Sequence, residues 1–172
     1  FRSPSGIWSS PYNGASWKQS EGQDQYRRAV YIYWKRSAAY PSTITFDAPG
    51  RQFCVARRIR TNTPLQALTL LNDPTYLDLA RKFTERILRE GGTRPNQQIQ
   101  KAYRLATGRE PSAKAFQTLY QLYQRSAEQY RADRKLACDM IGTLNAPDEP
   151  ATAALVVVAN TLFNLDEVVR SE

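Results

Sequence analysis

Arg57, Arg58 and Arg60 stand directly ahead of Thr61-Asn62-Thr63-Pro64, and these residue types suit the capture of an anion. Guanidinium forks pair with phosphate, sulfate or carboxylate, and a helix opening at Pro64 turns backbone N–H groups toward the same region. Asp47, in Phe46-Asp47-Ala48-Pro49, can orient one of the arginines, while Asn62, Thr63 and Gln66 can hydrogen-bond a sugar or a carboxylate. The candidate binding residues are therefore Asp47, Arg57, Arg58, Arg60, Asn62 and Gln66. A purely structural reading uses the same residues: Thr61 or Asn62 caps the helix, Asp47 pairs with an arginine inside the domain, and the segment fixes a junction in the fold.

Other chemistry is narrowed by composition. The 172 residues contain no histidine, which excludes a Ser-His-Asp or Cys-His nucleophile, a His-ligated zinc and a Cys-x-x-Cys-His haem attachment. Acid or base work falls to Asp47, Asp73, Asp139, Asp166 and Glu167, and glycoside hydrolysis needs two of them facing each other across a cleft. Asp73 before Pro74 reads as a helix cap, and Asp166-Glu167 as solvated or paired with Arg170. No catalytic residue emerges, and two cysteines supply too few ligands for a metal. Tyr103, Tyr120, Tyr123 and Tyr130, at helical spacing, read as core and groove filler rather than a carbohydrate platform.

The elements that position these residues fall into two styles. Residues 1–60 hold 10 basic and 3 acidic side chains, whereas 61–172 hold 14 and 13, so the net charge of +8 belongs to the N-terminal third. There the arginines are interleaved with Trp8, Trp17, Tyr26, Tyr31, Tyr33, Trp34 and Phe53, a mixture that suits a groove for an anionic polymer and equally a solvated basic face. Residues 1–25 read as an extended lead-in. The single domain is expected over 26–172, with 26–60 a small basic β and loop region: Tyr26–Arg36 alternates with a period of two, Thr43–Phe46 follows Pro41, and Phe53–Arg57 can pair as a further strand. A short helix is the rival reading of Tyr26–Arg36.

From residue 61 the punctuation is helical. Thr61-Asn62-Thr63 before Pro64, Asp73 before Pro74, Pro95, and Pro111-Ser112 mark starts, while Gly91-Gly92, Gly108 and Gly142 mark ends. Leu65, Leu68 and Leu71 recur at helical spacing in the first of these helices. Leu77, Ala80, Phe83, Ile87 and Leu88 share a face in the second, and a break near Asp133 divides the fourth. A last helix from about Pro150 to Leu165 turns Leu155, Val156, Ala159, Leu162 and Phe163 inward. The fold class is mainly α, an antiparallel bundle of five or six helices with a small N-terminal β element and an extended lead-in. The longest apolar stretch, Ala153 to Ala159, is far short of the roughly 20 residues of a membrane-spanning helix. An opening at Phe1 instead of Met suggests a piece of something longer.

The runs YRRAVYIYWKR and TFDAPGRQFCVARRIRTNTPLQALTLLNDP, with AYRLATGREPS and ALVVVANTLFNLDE downstream, resemble the C-terminal uncharacterised domain (domain of unknown function 1553, PSD1 type) of planctomycete cytochrome C-domain proteins. The resemblance implies a secreted or periplasmic multidomain parent, with any c-type haem in an N-terminal domain and no cofactor in this segment. It implies companion domains of the parent as partners, and an association with polysaccharide breakdown makes an anionic polysaccharide a second candidate. The module is then a docking or binding unit. The alternatives are part of a carbohydrate-active redox or hydrolytic enzyme whose haem lies elsewhere, or nucleic-acid binding, which charge alone permits and for which no motif is present. In an oxidising periplasm Cys54 and Cys138 can form one disulfide, or stand as two buried thiols.

Overall fold

A computed structural model describes residues 20–22, 24, 27, 29–31, 41–49, 54–57, 61–144, 146 and 148–169. The protein is mainly helical, and among the described residues there is no strand. It divides into two compact units, Phe1–Gln66 and Ala67–Glu172.

In the first unit the described residues of the expected β region form helical turns and irregular chain, while much of Tyr26–Arg36 lies outside the described residues. Ala29–Tyr31, inside the predicted strand Tyr26–Arg36, is a single 3₁₀ turn with Val30 and Tyr31 exposed. Pro41–Thr45 forms α1, which overturns the strand reading of Thr43–Phe46. Cys54 and Val55 have no regular structure and Ala56-Arg57 is a bend, so Phe53–Arg57 is not a strand over its described part; Phe53 lies outside the described residues. The reason is local: a period-two pattern over four or five residues fits a helical turn as well, and proline at the first position of α1 has the backbone angle a helix start needs. The extended lead-in 1–25 lies mostly outside the described residues.

The end of α1 is a Schellman turn. The Asp47 N–H donates to the Ile44 carbonyl at 3.2 Å and the Ala48 N–H to the Thr43 carbonyl at 2.8 Å, with Asp47 left-handed at φ 57°. Glycine usually holds that position, and an aspartate there costs backbone strain.

The remaining helices are α2 (Pro64–Asn72), α3 (Pro74–Glu90), α4 (Pro95–Thr107), α5 (Ala113–Ala132), α6 (Arg134–Ile141), α7 (Glu149–Phe163) and α8 (Asp166–Val169). Their starts follow the sequence signals. Asp73 accepts from the Thr75 N–H at 2.8 Å, Ser112 from Ala115, Asp133 from Leu136 and Asp148 from Ala151. Among the described residues seven helices follow residue 61, against the five or six expected, because the break at Asp133 produces a separate α6 and a one-turn α8 follows α7.

The second unit is organised around α7. Its residues Thr152–Val156, Val158–Asn160 and Leu162 are buried, and α3, α4, α5 and α6 all pack against it. A helix apolar on nearly every side has to sit at the centre of its layer. The main core joins Leu155, Val158 and Leu162 to Ile87, Ile99, Tyr103, Leu119 and Tyr123. A second cluster places Ala80 of α3 beside Val156 and Ala159, where small side chains permit close approach, and Phe83 lies against Phe163 with ring centres 5.5 Å apart. Tyr103 and Tyr123 are buried and Tyr120 and Tyr130 half-buried, as core filler should be.

Candidate functional site

The segment singled out by its arginines is held by a hydrogen-bond network around Asp47. One carboxylate oxygen, Oδ2, accepts from the Thr61 N–H and the Thr61 hydroxyl, both at 2.7 Å, and from Gln66 Nε2 at 3.2 Å. Gln66 is 1% exposed, and the same nitrogen donates to the Thr45 carbonyl at 2.9 Å and reaches the Thr61 hydroxyl oxygen at 3.1 Å. The opposite end of the Gln66 amide accepts from the Thr63 N–H at 2.9 Å, while the Thr63 hydroxyl accepts from the Gln66 N–H at 3.3 Å. Thr63 and Gln66 thus form a reciprocal capping box at the start of α2.

This arrangement brings two of the candidate residues, Asp47 and Gln66, together. Asp47 accepts from the chain entering α2, and the Gln66 amide makes its hydrogen bonds within the unit. The cap is Thr63, one or two residues later than Thr61 or Asn62. Arg57 and Asn62 are exposed. Arg58 and Arg60 lie outside the described residues. The Thr63-x-x-Gln66 spacing is the sequence signal of that capping box.

The other carboxylates are dispersed in role. Asp73 caps α3, and Asp166 and Glu167 begin α8 in exposed positions, with the Glu167 carboxylate acting on the Tyr103 hydroxyl. Burial first, and then that carboxylate, push the Tyr103 hydroxyl above its usual range. Asp139 contributes its backbone carbonyl to Arg81 at 2.8 Å. Among the described residues no group of three or more His, Cys, Asp or Glu is placed to hold a metal ion. Cys54 and Cys138 are free, and both are exposed, which corrects the reading of two buried thiols.

A polar groove of about 320 Å³ lies between the end of α3 and α4, lined by Glu90, Gln97, Gln100, Lys101, Arg104 and Glu110 among others. Its charges are matched internally: Glu90 meets Arg86 at 3.1 Å and Lys101 at 3.7 Å, and Arg104 meets Glu110 at 3.2 Å. The Arg86 hydrogen bond, aided by Arg89 and Lys101, holds the Glu90 carboxyl below its usual value, against the opposing effect of burial.

One helix faces outward in a way the sequence pattern did not foretell. On α2, Leu65, Leu68 and Leu71 are 59%, 58% and 48% exposed, while Gln66 and Leu70 turn inward. Asn160 of α7 donates to the Leu71 carbonyl at 3.2 Å and ties the end of α2 to the central helix. Among the described residues no helix is long and apolar enough to cross a membrane.

No curated protein and no solved structure matches the chain. The signature YRRAVYIYWKR, the Asp47 turn and the capped α2 all lie within residues 3–123, and over those residues the chain matches, and belongs to, the family described as PSD1, protein of unknown function (DUF1553).

Proposed function

We propose that this chain is a docking or binding module whose contacting surface is the Arg-rich segment ahead of α2, with companion domains of the same parent protein as its partner. The observation that carries the reading is the run of basic side chains in that segment. No acidic residue occurs between Asp47 and Asp73, a stretch containing Arg51, Arg57, Arg58 and Arg60. Asp47, at its start, accepts hydrogen bonds from Thr61 and Gln66. Basic side chains in this stretch outnumber acidic ones, which favours an outside anion as partner, and Arg57 stands exposed. In this reading the parent is a secreted or periplasmic cytochrome-linked protein of planctomycetes, and any c-type haem belongs to another of its domains.

An anionic polysaccharide is the other occupant for the same arginines, and one experiment separates the two. The chain is titrated at two salt concentrations against sulfated, carboxylated and neutral polysaccharides, with duplex DNA as charge control. The docking reading expects equal, salt-sensitive binding to every polyanion, weakened in Arg57→Ala and Arg58→Ala with the melting midpoint unchanged. Selective binding of one glycan that survives the higher salt makes the face a carbohydrate site instead. Variants that lose stability without altering polyanion binding would falsify the assignment of these arginines to any contact surface.

A further inference from the structure

We infer that the groove between the end of α3 and α4 binds a neutral, polyhydroxylated ligand, a stretch of uncharged glycan, independently of the arginines ahead of α2. The groove belongs to the second unit alone, where Glu90, Gln97, Gln100, Lys101, Arg104 and Glu110 line a space of about 320 Å³. Gln97, Gln100, Lys101 and Arg104 recur along α4 at steps of three and four residues, so one face of the helix carries all of them. Glu90 ends α3, and Glu110 lies in the segment after α4.

The lining is balanced in charge and unbalanced in hydrogen bonds. Glu90 accepts from Arg86 at 3.1 Å and from Arg89 at 3.4 Å, and both contacts fall on Oε1. Lys101 Nζ lies 3.7 Å from the other oxygen, Oε2, which is too long for a hydrogen bond. Among the described residues neither Lys101 Nζ nor Glu90 Oε2 has a hydrogen-bond partner, and the side-chain amides of Gln97 and Gln100 have none. The Lys101 and Glu90 side chains are 25% and 32% exposed, so an unused donor and an unused acceptor stand side by side, largely withdrawn from bulk water.

That pair selects a hydroxyl. Its oxygen accepts from the ammonium while its proton goes to the carboxylate, and the ion pair stays intact. An anion in the same place meets Glu90, which Arg86 holds ionised, and a cation meets Lys101; either has to displace one member of the pair. A neighbouring hydroxyl on the same ring meets the Gln97 or Gln100 amide, which offers a donor and an acceptor together. A Cβ at Gly92 would stand 2.9 Å from Gln97 Oε1, so bare backbone there leaves that amide its place in the lining. The lining holds no apolar or aromatic side chain, and a peptide therefore lacks a pocket in which to anchor.

The test uses the full 172-residue chain in salt of about 0.3 M, which screens the charges outside the groove. Neutral hexasaccharides of glucose, mannose and xylose are titrated beside a hexauronate, a glucosamine hexamer and a neutral glycine-serine peptide, with backbone amide NMR shifts as the readout. At least one neutral hexasaccharide is expected to give saturable shifts at Gly92, Gln97 and Lys101, with at least about fivefold weaker binding of the hexauronate and the glucosamine hexamer. Gln100→Ala and Lys101→Met should each weaken that binding about fivefold. The melting midpoint of Gln100→Ala should match the parent, because its amide holds nothing in the fold. Failure of all three neutral sugars, equal or tighter binding of a charged hexamer or of the peptide, or indifference to both substitutions overturns the proposal. Arg57→Ala keeps the two readings apart: it should leave neutral-sugar binding unchanged while weakening polyanion binding, so either surface can fail without the other.

Discussion

Asp47 sits in a backbone conformation that glycine adopts at lower cost, and its carboxylate is the reason an acidic side chain belongs there. Left-handed geometry costs an L-residue about 1–2 kcal/mol, while hydrogen bonds to a charged acceptor contribute about 1.5–3 kcal/mol each. The accepted bonds from Thr61 and Gln66 therefore outweigh the strain. Asp47→Gly removes both effects and is expected to cost about 1–2 kcal/mol; Asp47→Ala keeps the strain and loses the bonds, for about 2–3 kcal/mol. Asp47→Asn retains an acceptor and tolerance of the left-handed turn, and should cost least. Denaturant midpoints, with hydrogen exchange at the Thr61 and Thr63 amides as the local readout, check the order. An Asp47→Ala chain as stable as the parent would show that the network contributes nothing.

Between elements, the clearest tie is Arg81 of α3 on the end of α6. Its Nε and Nη2 donate to the Met140 and Asp139 carbonyls at 2.8 Å, and Nη1 donates to Asp78 at 2.8 Å. A cation on those carbonyls also meets the negative end of the α6 dipole. Gly142 follows at φ 60°, and a Cβ there would lie 3.1 Å from the Arg81 guanidinium carbon. Arg81→Ala should cost about 2–3 kcal/mol through the lost charged hydrogen bonds. Gly142→Ala should cost about 1–3 kcal/mol through strain and the displaced guanidinium. In an Arg81→Ala background the crowding is gone and the strain remains, so the Gly142→Ala penalty shrinks without vanishing. A double-mutant cycle on thermal unfolding reads that coupling, and strict additivity would contradict a direct contact.

For the molecule as a whole, two sets of groups bound the pH range of stability. Arg86 holds Glu90 below the ordinary 4.5, and Arg134 does the same for Glu149, joining the starts of α6 and α7 through a 2.7 Å contact. A carboxylate lowered in the folded state stabilises above its unfolded value, and that contribution disappears as pH falls through the folded one. Burial raises Tyr103, Tyr123 and Tyr130 above the ordinary 10.0. Their contribution is complete below that value and disappears as pH rises past it. Melting temperature should therefore decline on both sides of a plateau from about pH 5 to 10. The acid decline should shrink in high salt, because those ion pairs are exposed, and become shallower in Glu90→Gln. The alkaline decline, caused chiefly by burial, should be insensitive to salt and shallower in Tyr123→Phe. A salt-dependent alkaline limb would contradict burial as its cause.

The sequence by itself determined the helical architecture after residue 61, because helix starts and ends are written in local chemistry. Asp73, Ser112 and Asp133 cap helices through bonds to residues two or three positions away, and Gly108 and Gly142 end them through backbone angles that adjacent residues do not supply. It also determined the family, since a contiguous signature needs no geometry. Only the tertiary structure decided the rest. The alternation at Tyr26–Arg36 reads as a strand until a long-range partner is required, and the described residues supply none. The spacing of Leu65, Leu68 and Leu71 defines a face without saying whether anything covers it, and Gln66 looks available for a ligand until Thr45, Asp47 and Thr61 are brought around it. Periodicity is a property of a helix alone, whereas burial depends on contacts between residues 14 to 89 positions apart, which no local pattern encodes.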